Sequence, residues 1–139
     1  MSVHLSRKYI LYAEDDADDQ HLMQDVLNDL NPGIELYITE NGKDAFEFLQ
    51  DLADGSPLPS LIILDLNMPV WDGMETLRKL KSTPSFSTIP VCLFTTTSDS
   101  NDRQLALSLG AHAFVTKPGS YRELETIIDS FTAYLDEHE

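Results

Sequence analysis

Four apolar stretches of this chain end on side chains that can handle a metal ion and an anion. Leu61-Ile62-Ile63-Leu64 runs straight into Asp65, and then into Leu66-Asn67-Met68-Pro69. Tyr9 to Ala13 runs into Glu14, Asp15 and Asp16; Val91 to Phe94 runs into Thr95, Thr96 and Thr97; Ala113 to Thr116 runs into Lys117-Pro118. An isolated aspartate at the end of an apolar run is ordinarily a turn or helix-cap residue. Four such ends brought together would instead line one pocket with a carboxylate cluster, a hydroxyl and an ammonium. In it Asp65 would offer a nucleophilic oxygen, Lys117 a mobile positive point charge, and Thr95 a neutral hydrogen-bond donor. Acids gathered this closely repel one another, which favours uptake of a cation.

Positioning those residues requires particular elements. Strand-like runs alternate with stretches of helical period, the pattern of repeated βα units around a parallel sheet. The first helix is predicted from near Asp18, with Leu22, Met23, Val26, Leu27 and Leu30 on one face, and it stops at Asn31-Pro32-Gly33. Ile34 to Thr39 reads as a strand. A second helix follows Asn41-Gly42, with Ala45, Phe46 and Leu49 inward, and the loop Gly55 to Pro59 precedes the strand that ends on Asp65. A third helix begins around Asp72-Gly73 with Met74, Leu77 and Leu80 inward, and Ile89 to Phe94 forms the fourth strand. Ser100 or Asp99 can cap a helix through Leu109 that turns Leu105, Ala106 and Leu109 inward, and Gly110 suits a left-handed cap just past its end. After the short strand Ala113 to Thr116, a last helix from about Ser120 has Leu124, Ile127, Ile128, Phe131 and Leu135 on an amphipathic face. Five strands and five helices in this length indicate a flavodoxin-like doubly wound five-stranded parallel sheet, a three-layer α/β/α sandwich. Ligands of such sheets bind outside the carboxyl ends of the strands, where all four polar ends would meet.

The 139 residues, 42% of them hydrophobic, suit one domain spanning 1–139 with a real core. A net charge of -15, from 24 acids against 9 bases, argues against direct binding to nucleic acid. Cys92, the only cysteine, lies in an apolar run and excludes both a disulfide framework and a cysteine metal site. His4, His21, His112 and His138 are scattered and lack metal-ligand spacing. Met1 to Lys8 lacks the apolar core of a secretory signal, and no segment reaches the roughly 20 apolar residues of a membrane helix. A soluble cytoplasmic protein without membrane insertion is the expectation.

With these residues in this order, the chain resembles the receiver domain of two-component response regulators over essentially its whole length. Glu14-Asp15 resemble that family's acidic pair, Asp65 its phosphoacceptor, Thr95 its hydroxyl after the fourth strand, and Lys117-Pro118 its lysine and usually cis proline. Asn67-Met68-Pro69 and Asp72-Gly73 match the turn after the phosphoacceptor. The resemblance implies a stand-alone receiver with no output domain, a monomer or weak dimer. It would accept a phosphoryl group on Asp65 from a histidine kinase or histidine phosphotransfer protein and signal to an output protein. It would be a switch, not an enzyme turning over a diffusing substrate.

Phosphoryl transfer to a carboxylate is catalysed mainly by electrostatic positioning. Hard Mg²⁺, which takes a few carboxylates, a carbonyl and waters, is the expected cofactor. Asp15, Asp65 and the backbone carbonyl of Asn67 are its candidate ligands, with Glu14 direct or through water. Thr95 and Phe114 stand where the family places its conformational switch, although Phe114 can equally be simple core and lacks the hydroxyl of the tyrosine often found there. Val70-Trp71 is bulkier than is common in that loop. Asp16, Asp18 and Asp19 read as charges complementing the first helix dipole. The enzyme alternative is an aspartate-nucleophile phosphatase of the haloacid dehalogenase class, which wants a second acid where Asn67 stands. A flavodoxin holding FMN would want a Ser/Thr/Gly-rich loop where Glu14 to Asp16 stand.

Overall fold

A computed structural model of the chain describes residues 8–137. Strands β1 (Tyr9–Ala13), β2 (Glu35–Thr39), β3 (Leu61–Leu64), β4 (Val91–Thr95) and β5 (Ala113–Thr116) alternate with helices α1 (Ala17–Leu30), α2 (Gly42–Gln50), α3 (Gly73–Lys81), α4 (Ser100–Ser108) and α5 (Tyr121–Glu137). The strands form one parallel sheet in the order β2-β1-β3-β4-β5. The expected doubly wound sandwich is therefore the observed one. Its strand order reverses between β1 and β3, which is where a crevice opens at the carboxyl edge of such a sheet.

The three central strands are buried along their whole length, so they read as continuous apolar runs. Their side chains alternate between two cores. Leu11, Ala13, Ile62, Leu64, Val91, Leu93 and Phe114 meet Ala45, Leu49, Met74, Leu77, Leu80 and Ala106 on one face. Ile10, Tyr12, Leu61, Ile63, Cys92 and Phe94 meet Met23, Val26, Leu27, Leu124, Ile128, Phe131 and Leu135 on the other. Thus α2, α3 and α4 cover the first face, and α1 and α5 the second. Burial pushes the Cys92 thiol up to about 12, which keeps it a neutral core residue. Side-chain caps start four of the helices: Asp16, Asn41, Asp72 and Asp99 each accept a backbone N–H from the first turn.

Three expected core residues lie outside. Leu22, Leu30 and Leu105 are 38%, 37% and 39% exposed. On α1 the stripe Met23, Val26 and Leu27 suffices to cover the sheet, so Leu22 falls on its flank and Leu30 in its last turn. On α4 only Ala106 is buried, because this helix lies at the edge of the sheet beside β5. Gly110 does take a positive φ, 106°. No helix among the described residues is long and apolar enough to cross a membrane. His4 and His138 lie outside the described residues.

Gly42 lets α2 and α3 touch, since a Cβ there would overlap the Thr76 side chain. Thr76 cannot easily yield, being fully buried with its hydroxyl donating to the Asp72 carbonyl at 2.7 Å. Gly42→Ala should therefore destabilise the fold by about 1–3 kcal/mol, as overpacking does, read as a lowered urea midpoint at unchanged slope.

Candidate functional site

Strand register brings the acids together. β1 pairs with β3 so that Ala13 faces Leu64, and the Asp65 N–H donates to the Ala13 carbonyl at 3.1 Å. The next residue on each strand is then Glu14 on one and Asp65 on the other. A slip of one residue would send the following side chain to the opposite face, so the two apolar cores fix this juxtaposition. On the other side, Thr95 pairs with Thr116, and the Lys117 N–H donates to the Thr95 carbonyl at 2.6 Å. By the same alternation, Glu14 and Asp65 continue the face of Tyr12 and Ile63, under α1 and α5. Thr95 continues that of Leu93, shared with Phe114.

Carboxylate oxygens of Glu14, Asp15 and Asp65 all lie within 4.8 Å of one another. Glu14 is 1% and Asp65 7% exposed, while Asp15 stands open to solvent. Lys117 Nζ reaches into the cluster, 2.6 Å from Glu14 Oε1, 2.8 Å from Asp19 Oδ2 and 3.8 Å from Asp65 Oδ2. Glu14 is further held by the Tyr12 hydroxyl, which donates to Oε1 at 3.0 Å, and by the Asp16 N–H, which donates to Oε2 at 3.2 Å. Its oxygens are thus substantially occupied, whereas Asp15 and Asp65 carry most of the free acceptor capacity.

The energetics follow from burial and like charge. Burial above all, then the Glu14 charge, raises the Asp65 carboxyl to about 6, with the Lys117 charge opposing them. For Lys117, burial works to lower its pKa, but its hydrogen bonds to Asp19 and Glu14 and the charges of Glu14 and Asp65 outweigh that and raise it. Lys117 is therefore held as the cation, and Asp65 as a carboxylate whose ionisation burial and the Glu14 charge resist. The donor set fits a hard divalent cation: it offers carboxylate oxygens of three residues at the sheet rim, with no nitrogen or sulfur ligand among them.

Of the expected site residues, Glu14, Asp15, Asp65 and Lys117 converge. Asn67 is exposed on the rim two residues beyond Asp65. Thr95 is fully buried, its hydroxyl accepting the Thr97 N–H at 3.4 Å. Phe114 already lies in the interior at 4% exposure, and Arg103 donates to its carbonyl at 3.0 Å. No described peptide bond is cis, so Lys117-Pro118 is trans where the resemblance implied cis. Asp19 is the residue that sequence reasoning missed: besides standing in the first turn of α1, it pairs with Lys117. The signal was available in the capping register, since a helix capped by Asp16 at the site's rim keeps its first-turn acids close to the pocket.

Comparisons with known proteins agree with this geometry. The family model for the response regulator receiver domain matches residues 10–129. The chain is 34% identical over 129 residues to Response regulator Rcp1 of Synechocystis sp. (strain ATCC 27184 / PCC 6803 / Kazusa), covering 91% of this chain and 88% of that protein. Among solved structures, the phosphorylated cyanobacterial phytochrome response regulator RcpA superposes with a TM-score of 0.86 at 27% identity, covering 96% of this chain and 97% of that one. The Mn²⁺-bound form of Rcp1 superposes with a TM-score of 0.81 at 34% identity, over 91% and 93%. None of these relatives supports the phosphatase alternative. Strand order, acidic rim and whole-length similarity converge, and the chain belongs to the response regulator receiver domain family of two-component signalling.

Proposed function

We propose that Asp65 accepts one phosphoryl group from a histidine kinase or histidine phosphotransfer protein in a Mg²⁺-dependent reaction. The chain then acts as a switch that signals through a protein contact and turns over no diffusing substrate. The observation that carries this reading is the Asp65 carboxylate on the sheet rim, within 4.8 Å of two other carboxylates and 3.8 Å from the Lys117 ammonium.

Mg²⁺ bound by Glu14, Asp15, Asp65 and the Asn67 carbonyl would supply positive charge to the non-bridging phosphoryl oxygens. The chain's own residues do the rest. An Asp65 oxygen forms the new bond to phosphorus as the bond from phosphorus to the donor imidazole nitrogen breaks, and the electron pair returns to the ring. Lys117, on a flexible stem, exchanges its hold on Glu14 and Asp19 for a phosphoryl oxygen. Thr95 offers its hydroxyl as a neutral donor from beneath the rim. Because Thr95 and Phe114 share one sheet face, a shift of Thr95 reaches the packing under α4 from a state in which Phe114 is already inward. That is a population shift between two packings, which the phosphoryl group drives only through better contacts in one of them.

Incubating the protein with acetyl phosphate and MgCl₂, then measuring intact mass, should show a single added phosphoryl group that is lost in alkali as an acyl phosphate and does not form in EDTA. Metal-independent labelling, or alkali-stable labelling, would refute the assignment. Thr95→Ala should label to a similar extent yet show smaller amide shifts around Phe114 on activation, and equal shifts in both proteins would remove Thr95 from the switch.

A further inference from the structure

Val70 is the only non-glycine residue with a positive φ among the described residues, at 69°. For a β-branched residue this is an outlier, because its Cβ crowds the adjoining carbonyl. Its own side chain offers no compensation, being 65% exposed. Its neighbour does. The half-buried Trp71 indole lies with its ring centroid 5.7 Å from that of Phe46 on α2, and Lys79 Nζ of α3 sits 4.9 Å over its centroid. Phe46 is in turn set edge-on against Phe86, centroids 5.6 Å apart. The indole therefore rests on an aromatic shelf supported by both helices.

The far end of the turn is pinned as well. The Gly73 N–H donates to the Leu66 carbonyl at 2.9 Å, and Asp72 caps α3 through the Glu75 N–H at 2.9 Å. Between Leu66 and Val70 stand Asn67, Met68 and Pro69. If Val70 relaxed out of the left-handed region, the two halves of this turn would rotate against each other. The exposed Asn67 half would be the one displaced, since Trp71 and Asp72 hold the other.

We propose that Trp71 is a positioning residue: its clasp on Phe46 and Lys79 holds Val70 in the left-handed conformation and thereby aims the Asn67 main-chain carbonyl at the cation shared by Glu14, Asp15 and Asp65. This rests on the reading of that carbonyl as a metal ligand. Glycine adopts the same backbone without steric cost, so the clasp is needed only while residue 70 resists the turn. That dependence separates positioning from mere packing.

Calorimetric titration of the full chain with MgCl₂ tests it in wild type, Trp71→Ala, Val70→Gly and the double variant. Trp71→Ala should weaken binding about tenfold, the size of effect that supporting residues have on metal sites. Val70→Gly alone should leave affinity unchanged. The double variant should regain most of the lost affinity while its melting temperature stays below that of wild type, since the indole contact is still gone. Phe46→Leu, which loosens the shelf from outside the loop, should give a smaller loss that Val70→Gly also reverses. Unchanged affinity in Trp71→Ala, or a double variant no better than Trp71→Ala, overturns the inference and leaves the metal reading intact if wild type binds. A wild type that binds no Mg²⁺ overturns the metal reading and this inference with it.

Discussion

Asp65→Asn is expected to leave the protein unable to take up a phosphoryl group from acetyl phosphate, and to make the metal-free fold more stable at neutral pH. The first effect follows because an amide oxygen is not a nucleophile of carboxylate strength, Glu14 is occupied by Lys117, Tyr12 and the Asp16 N–H, and the remaining carboxylate of the cluster, Asp15, would be engaged by the cation. The second follows from the raised carboxyl. A group whose folded-state pKa lies above its unfolded value contributes stability below the unfolded pKa and loses it as pH rises through the folded one. Asp65 moves from 3.8 to about 6, driven by burial first and by Glu14 next. Its ionisation therefore costs the fold stability across that window. Urea midpoints of wild type and Asp65→Asn should converge near pH 4, and by pH 7.5 the variant should be the more stable. Adding Mg²⁺ should close the gap by stabilising wild type. A variant that still labels at the wild-type level would show that Asp65 is not the acceptor, and identical midpoints at both pH values would show that neither burial nor the Glu14 charge penalises the ionised Asp65.

Much of this site was legible because it depends on where apolar runs stop. Once Tyr9–Ala13 and Leu61–Leu64 are parallel neighbours buried on both faces, the first polar residue after each is forced onto the rim, and Glu14 and Asp65 must meet. Lys117 and Thr95 follow in the same way from Val91–Thr95 beside Ala113–Thr116. The sequence was weaker wherever a side chain's neighbour depends on packing between distant elements. Periodicity placed Leu22 and Leu30 on an inward face of α1, but how wide a stripe the sheet covers is a tertiary matter. Asp19 looked like a dipole charge, and its bond to Lys117, 98 residues away, depends on how α1 leans over the rim. Trp71 lies only six residues beyond Asp65, yet its ring turns to Phe46 and Lys79, because an indole gains more from an aromatic shelf than from a charged rim. The left-handed Val70 has no composition signal at all, since glycine or asparagine would be the ordinary choice at that backbone.

Gly73 couples the integrity of the fold to the placement of Asp65, and Gly73→Ala should damage both. It opens α3 directly beneath Asp65, and its N–H closes the turn by donating to the Leu66 carbonyl. A Cβ at this position would stand 2.5 Å from the Asp65 carbonyl oxygen, 2.9 Å from Leu66 Cα and 2.8 Å from Leu93 Cδ1. Leu93 could turn aside, but the other two atoms are main chain, so relief requires α3 to retreat or the Asp65–Leu66 backbone to shift. Retreat opens space around Met74 and Leu77 in the core, and the expected cost is about 1–3 kcal/mol. A backbone shift carries the Asp65 carboxylate with it, and a displacement near 1 Å at a reacting group can cost about a hundredfold in rate. Gly119→Ala is the matched control: it lies in the loop after Lys117, where an added Cβ meets nothing within 4 Å. Initial labelling rates with acetyl phosphate and urea midpoints should both fall for Gly73→Ala and stay near wild type for Gly119→Ala. If Gly73→Ala labels at the wild-type rate, the α3 start does not set the position of Asp65, and the close approach at residue 73 serves packing alone.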